Sequence, residues 1–182
     1  MDSIPENIRS VTRIADKDYN KWIHKRVILT TASQAGIIYS YIEFPSIFSH
    51  VFIDESAQGM EPETCIPISM IKEDGVVVLV GDHHQLGPVV MSSKAKQLEL
   101  SLMERLMTDF GEYFKINGSY DSKYVVKLVR NYRSDPQIMA IPSQLFYDNQ
   151  LLFEVKTDPN FITDMKLNSS VNFHGVIGLF LT

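Results

Sequence analysis

The chain has 182 residues, 45% hydrophobic and 21% charged, a balance that suits one or two globular domains and excludes global disorder. Its net charge of −5 gives no overall basic signature for nucleic acid, although a local basic groove depends on where charge lies. One cysteine, Cys65, excludes an internal disulfide framework and agrees with a reducing compartment; the first ten residues lack the apolar core of a signal peptide, and the longest aliphatic run, 76–80, is too short for a membrane span.

Residues 1–25 are mixed and charged without a sustained period, and are expected to be irregular. RVILTTAS (26–33) is β-branched and reads as a strand, and AGIIYSYI (35–42) as a short helix. HVFID (50–54) is a second strand. EPETCIPISMIK (61–72) reads as a helix, with Pro62 near its start and Glu61 and Glu63 suited to an N-terminus. GVVVLVGD (75–82) is expected to be a strongly buried strand. Leu98, Leu102, Met103 and Leu106 recur at helical spacing within 94–107. The stretch 110–122, with Gly111, Gly118 and Asp121, is the best candidate loop. KYVVKLVRN (123–131) reads as a fourth strand. Asp135–Pro136 opens a helix over 135–150 that Pro142 is expected to interrupt or bend. SVNFHGVIG (170–178) is a possible fifth strand, and the apolar, abrupt end VIGLFLT reads as a truncation.

Strands alternating with helices predict an α/β fold with a parallel sheet. Ligands of such sheets bind beyond the carboxyl ends of the strands. The polar residues there are Thr30–Ser33, Asp54–Glu55, Gly81–Gln85 and Asn131–Arg133.

Asp54 and Glu55 end an apolar strand. An aspartate there can hold Mg²⁺, usually through water, and an adjacent glutamate can orient or deprotonate an attacking water. Taken alone, the pair reads more readily as an ordinary strand exit, where Asp and Glu are common. In VVVLVGDHHQLGPVV, Gly81 allows a turn or a close approach, and Gln85 can sense a γ-phosphate or its water; a plain loop with a Gly-Pro turn is the alternative. His83 and His84 as a metal pair are disfavoured, since adjacent side chains are expected to point apart and no further ligand spacing supports them. In LVRNYRSDP, the Arg133 guanidinium suits the charge on a transferring phosphoryl group. Tyr132 can stack on a base. A surface arginine and a half-buried tyrosine are the plain alternative.

Taken in order, these stretches resemble superfamily 1 helicase motifs. DESAQ resembles motif II, VGDHHQLGPV motif III and NYRSDP motif IV, while VILTTAS resembles the strand whose threonines meet the nucleic-acid backbone. GDHHQLGPVV with SLMERL is similar to the Upf-like branch. EPETCIPI, KLVRNYRSDPQIMAIPSQLFYDNQL and NFHGVIG are most similar to its Armitage-type RNA-silencing helicases. The resemblance covers about residues 26–178.

It implies a P-loop NTPase (RecA-like) parallel sheet with flanking helices, incomplete here. Residues 26–130 would be the C-terminal part of a first RecA-like domain, and 131–182 the start of a second. It implies an ATP-dependent RNA helicase, with ATP and Mg²⁺ as cofactors, stepping 5′ to 3′ along single-stranded RNA. Asp54 would hold Mg²⁺ through water, Glu55 activate water, Gln85 couple the γ-phosphate to the RNA site, Arg133 contact the γ-phosphate and Tyr132 stack on adenine. Thr30, Thr31, Pro88 and Val89 would contact RNA. Ribonucleoprotein or silencing-complex proteins are implied as partners, and a cytoplasmic location that includes ribonucleoprotein granules.

The sequence departs from the pattern in two respects: it contains no Gly-Lys pair, and so no phosphate-loop lysine followed by Ser/Thr, and it lacks the later motifs of the second domain, including that domain's second arginine. A fragment of a longer helicase, inactive by itself, is therefore expected. A catalytically inactive RNA-binding isoform or decoy is the alternative, and a structural nucleotide-binding fold without nucleic acid is a third.

Overall fold

A computed structural model describes residues 24–42, 46–113 and 119–154. Contacts between Cα atoms divide the chain into two units, Met1–Asp121 and Ser122–Thr182. The expected junction near residue 130 falls inside the second unit. The irregular segment expected over 1–25 lies almost wholly outside the described residues, and the fifth strand expected at 170–178 lies entirely outside them.

Among the described residues the first unit begins with helix α1, Ala32–Tyr41. The strand expected over 26–33 is not formed. Residues 27–31 have no strand assignment, and Thr31 instead caps α1, its hydroxyl oxygen accepting from the Gln34 amide at 3.2 Å. Thr-Ala-Ser-Gln is an N-capping pattern of the S/T-x-x-E/Q type, and it outweighs the β propensity of the residues before it. Ala35 and Ile38 of α1 are buried with Met70, and Ile28, Ile42, Phe48 and Ile66 pack against them.

Strand β1, Phe48–Ile53, is followed by helix α2, Glu61–Ile68, and strand β2, Ile71–Leu79. The two strands are parallel, with Val51 opposite Val77 and Ile53 opposite Leu79. Parallel neighbours need a crossover, and α2 supplies it. This helix stops short of the expected Lys72. The Ser69 amide closes its last turn on Cys65 O and Pro67 O, and the chain enters β2 at Ile71. The register jumps between Phe48–Ile71 and His50–Val76, so residues 72–75 bulge. Gly75 makes the bulge possible: a Cβ there would lie 2.4 Å from Ile71 Cγ1.

The expectation that β2 is strongly buried fails. Val76 and Val77 are exposed, and Phe52 on β1 is 68% exposed. Among the described residues the sheet has two strands, too few to be covered on both faces as a wide parallel sheet is.

The helix expected over 94–107 divides into a 3₁₀ segment, Ser93–Glu99, and helix α3, Leu102–Asp109. Ser101 separates them. It is fully buried and caps α3, its hydroxyl oxygen accepting from the Glu104 amide at 3.1 Å. Arg105 of α3 donates from Nε (2.7 Å) and from an Nη (2.6 Å) to the two carboxylate oxygens of Glu61, the first residue of α2. This planar fork matches the carboxylate in both distance and direction, and the Arg105 guanidinium also lies over the Phe110 ring at 5.7 Å.

In the second unit, the strand expected over 123–131 shortens to β3, Arg130–Asn131, parallel to β4, Leu152–Phe153. Tyr124, Val126 and Leu128 do alternate outward, but among the described residues no strand lies beside them. Helix α4, Pro136–Phe146, connects the pair; Asp135 caps it by accepting from the Gln137 amide at 2.8 Å, and the helix runs through Pro142 rather than breaking there.

Hydrogen bonds from Arg105 hold Glu61 below the ordinary carboxylate value of 4.5, against a smaller opposing push from burial. The unfolded chain therefore takes up this proton first as the pH falls. The pair's contribution is complete above that value and is lost as pH drops through the lower folded one. Glu61→Gln is expected to reduce the melting temperature at neutral pH and to flatten its decline in acid, measured by circular dichroism from about pH 7 to about pH 3. Identical acid slopes in the two proteins would exclude this role.

Candidate nucleotide site

The β1–β2 ladder continues past the ends of both strands. The Val80 amide donates to Ile53 O at 2.8 Å, and the Ser56 amide donates to Val80 O at 2.9 Å. Two turns, Asp54–Gln58 and Gly81–Gln85, thus leave the sheet side by side at its carboxyl edge.

Ser56 locks them together. Its hydroxyl is buried and lies 3.0 Å from Val80 O and 3.3 Å from Met103 Sδ on α3. Sequence reasoning passed over this serine because a small polar residue after two carboxylates looks like loop. Gly81 faces it. A Cβ at residue 81 would come 3.1 Å from the Ser56 amide nitrogen, 3.2 Å from that of Ala57 and 3.3 Å from Met103 Sδ. The close approach expected of this glycine is therefore made to the neighbouring turn.

Asp54 and Glu55 are exposed. The Glu55 amide donates to Asp54 Oδ1 at 3.0 Å, and Glu55 has a φ of 51°, a left-handed conformation that side chains other than glycine rarely adopt. Gln58 holds Glu55 twice, by its amide to Glu55 O at 2.9 Å and by Nε2 to Oε2 at 3.0 Å. In the second turn, Asp82 Oδ1 accepts from the His84 amide at 3.0 Å, Oδ2 from Gln85 Nε2 at 2.9 Å, and Asp82 O from the Gln85 amide at 3.2 Å. Gln58 and Asp82 were not among the expected site residues. Each lies three residues from its partner, a spacing that a tight turn brings into contact.

The adjacent histidines do not point apart as expected. Their ring centroids are 4.0 Å apart and tilted by 38°. Burial holds His83 below the ordinary histidine value of 6.5; the charge of His84 adds to this, and Asp82 and Glu104 oppose it. Among the described residues no group of three or more His, Cys, Asp or Glu side chains could hold a metal ion.

Thr30 and Thr31 are exposed, Thr30 Oγ1 lying 3.3 Å from Thr31 O, while the Thr31 hydroxyl oxygen serves as the α1 cap. Pro88 is buried and Val89 beside it is exposed. A depression of about 320 Å³ between α2, the 3₁₀ segment and α3 is lined by Glu61, Cys65, Leu98 and Arg105, among others, and by none of the expected site residues.

Tyr132 and Arg133 belong to the second unit, and both are exposed. Asn131 shapes their turn: its Oδ1 accepts from the Arg133 amide at 2.9 Å and the Ser134 amide at 2.8 Å. This side-chain turn brings the chain out of β3 and into the Asp135 cap.

A family model described as an AAA domain matches residues 3–93. The chain belongs to this family. Within it, the chain is an Upf-like superfamily 1 helicase sequence of the Armitage (Mov10) branch. It is 40% identical over 168 residues to "RNA helicase Mov10l1" of Mus musculus, an alignment covering 84% of the chain and 14% of that protein. It is 40% identical over 163 residues to "Putative helicase mov-10-B.1" of Danio rerio, covering 84% of the chain and 16% of that protein. "Probable helicase with zinc finger domain" of Danio rerio is 35% identical over 139 residues, covering 74% of the chain and 7% of that protein. The family establishes the α/β P-loop NTPase fold to which the described strands and helices conform. No helix among the described residues is long and apolar enough to cross a membrane.

Gly81→Ala tests the packing of the two turns. The new Cβ would press on two backbone amides that cannot swing aside, so a loss of roughly 1–3 kcal/mol is expected, read as a lower urea midpoint at unchanged slope. Wild-type stability in this variant would show that the turns are not in close contact.

Proposed function

We propose that the chain is part of an ATP-dependent RNA helicase that moves 5′ to 3′ along single-stranded RNA, in RNA silencing or RNA decay. The observation that carries this is the parallel pairing of β1 with β2, which delivers Asp54, Glu55 and Gln85 on adjacent turns at one sheet edge. The helicase names of its relatives support the reading.

Asp54 is the residue for Mg²⁺. Magnesium keeps several waters and takes one or two carboxylates besides phosphate oxygens, which a single exposed carboxylate at a strand end fits. When bound, the ion supplies positive charge to the β- and γ-phosphates. Glu55 is the base. Gln58 engages its Oε2, leaving Oε1 to accept a proton from the attacking water. Gln85 presents its amide to the γ-phosphate. In the second unit, Arg133 neutralises charge on the γ-phosphate and Tyr132, 71% exposed, stacks on adenine. Thr30, Thr31 and Val89, all exposed, lie along the RNA backbone with little sequence preference, whereas Pro88, expected beside them, is buried and does not face it. Closure of two RecA-like domains on ATP and reopening after hydrolysis would drive stepping. Cytoplasmic ribonucleoprotein granules and silencing-complex proteins are the proposed setting.

The missing Gly-Lys pair favours a second reading for the 182-residue chain taken alone: it binds RNA without turning over ATP. Purified chain is expected to show no ATPase activity; turnover that Glu55→Gln abolishes would overturn this.

RNA binding is expected to weaken linearly in log K against log salt, by about 0.7 per phosphate contacted on a single strand. A titration of single-stranded RNA across salt measures it, and binding indifferent to salt would exclude a phosphate-gripping surface.

A further inference from the structure

Gln85 is the side chain whose orientation decides whether the second turn can read a γ-phosphate. An amide offers two N–H donors on one side and one oxygen on the other. Rotated by half a turn, it would present the oxygen where a donor is needed and repel phosphate. Gln85 is exposed, so packing does not select between the two orientations.

Asp82 selects. Its Oδ2 lies 2.9 Å from Gln85 Nε2, and a carboxylate there can accept from the amide nitrogen but would repel the amide oxygen. The carboxylate is itself oriented, since Oδ1 accepts from the His84 amide at 3.0 Å and the Asp82 carbonyl closes the turn on the Gln85 amide. Each member of the chain is thereby held by the one before it: backbone turn, carboxylate, amide. One Gln85 N–H is used by Asp82. The other, and Oε1, have no partner among the described residues. They remain for a phosphate oxygen and a water.

We propose that Asp82 is a positioning residue for γ-phosphate recognition, acting through Gln85 by fixing which end of its amide faces the nucleotide. This rests on the assignment of Gln85 to the γ-phosphate made above. Because Asp82 acts through the amide in this arrangement, its removal should change the distinction between nucleotides more than their common affinity. The adenosine and the first two phosphates are shared by diphosphate and triphosphate; only the γ-phosphate meets Gln85.

The test is a double-mutant cycle in the 182-residue chain. Binding of MgADP and of the slowly hydrolysed MgATPγS is followed by amide NMR titration for wild type, Asp82→Ala, Gln85→Ala and the double variant. The readout is the ratio of the two dissociation constants. Asp82→Ala is expected to reduce the preference for the triphosphate by about threefold to tenfold, the net scale of one ordinary hydrogen bond, here the one from Gln85 to the γ-phosphate that loses its orientation. In the Gln85→Ala background it should have no further effect, because a residue that acts only through another is silent once that other is gone. Asp82→Asn, which retains one acceptor for the His84 amide, serves if the alanine variant does not fold.

Additive effects of the two substitutions, or an unchanged ratio in a folded Asp82 variant, would overturn the role of Asp82 and leave the nucleotide assignment standing. Binding of neither nucleotide by folded wild-type chain would overturn both.

Discussion

The acidic turn and the Gly81–Gln85 turn of the first unit depend on two strand ends staying in register. The parallel ladder between β1 and β2 runs one step beyond the strands themselves, through Val80 N to Ile53 O and Ser56 N to Val80 O. Without that step the acidic turn and the Gly81–Gln85 turn would be two separate loops. With it they share a backbone carbonyl, a buried serine hydroxyl and one close glycine contact. Ser56 is costly to bury alone, since a hydroxyl without a partner loses its water for nothing. Placed between Val80 O and Met103 Sδ, it converts that cost into a joint between the turns and α3.

Each turn is organised by short polar links of its own, two turns in the first unit and, separately, one in the second. Glu55 is held by Gln58, Gln85 by Asp82, and the Tyr132–Arg133 turn by Asn131. In each case a side chain that could do chemistry is exposed, while a neighbour two or three residues away restricts it. Exposure leaves the group accessible to ligand, and the link limits its freedom. Geometry of this kind reduces the ordering that a ligand would otherwise impose on binding. Away from the site, the fork between Arg105 and Glu61 joins α3 to the start of α2, so the helix that contacts Ser56 is also fixed to the crossover.

Much of the α/β pattern was legible. β1, α1, α2 and α4 fall close to where apolar runs, helix-start residues and Asp135–Pro136 place them. Two of the misses share a cause. Thr31 and Ser101 each begin a capping pattern, Thr-Ala-Ser-Gln and Ser-Leu-Met-Glu, and each was passed over in favour of the propensity of its neighbours. The first turned a strand's end into a helix start, and the second split one helix in two. Capping is a specific hydrogen bond, whereas propensity is a weak summed preference, so the cap decides the boundary. The strand expected over 123–131 shortened for another reason: an extended segment becomes a strand only when a neighbour supplies the ladder, and among the described residues β4 supplies it only beside Arg130–Asn131.

The sequence by itself determined the kind of chemistry and its order along the chain: a carboxylate pair, then a glycine and a glutamine, then a tyrosine and an arginine, each after an apolar run. These are choices of residue type and spacing, which the sequence carries directly. Only the tertiary structure decided which of them meet. It set the two turns of the first unit against each other through Ser56 and Gly81, brought the two histidine rings together, and turned Gln58 and Asp82 toward the residues they hold. Such contacts depend on strand register and on the sign of a backbone angle such as Glu55's. A one-residue change in either moves a side chain to the opposite face without altering composition or pattern.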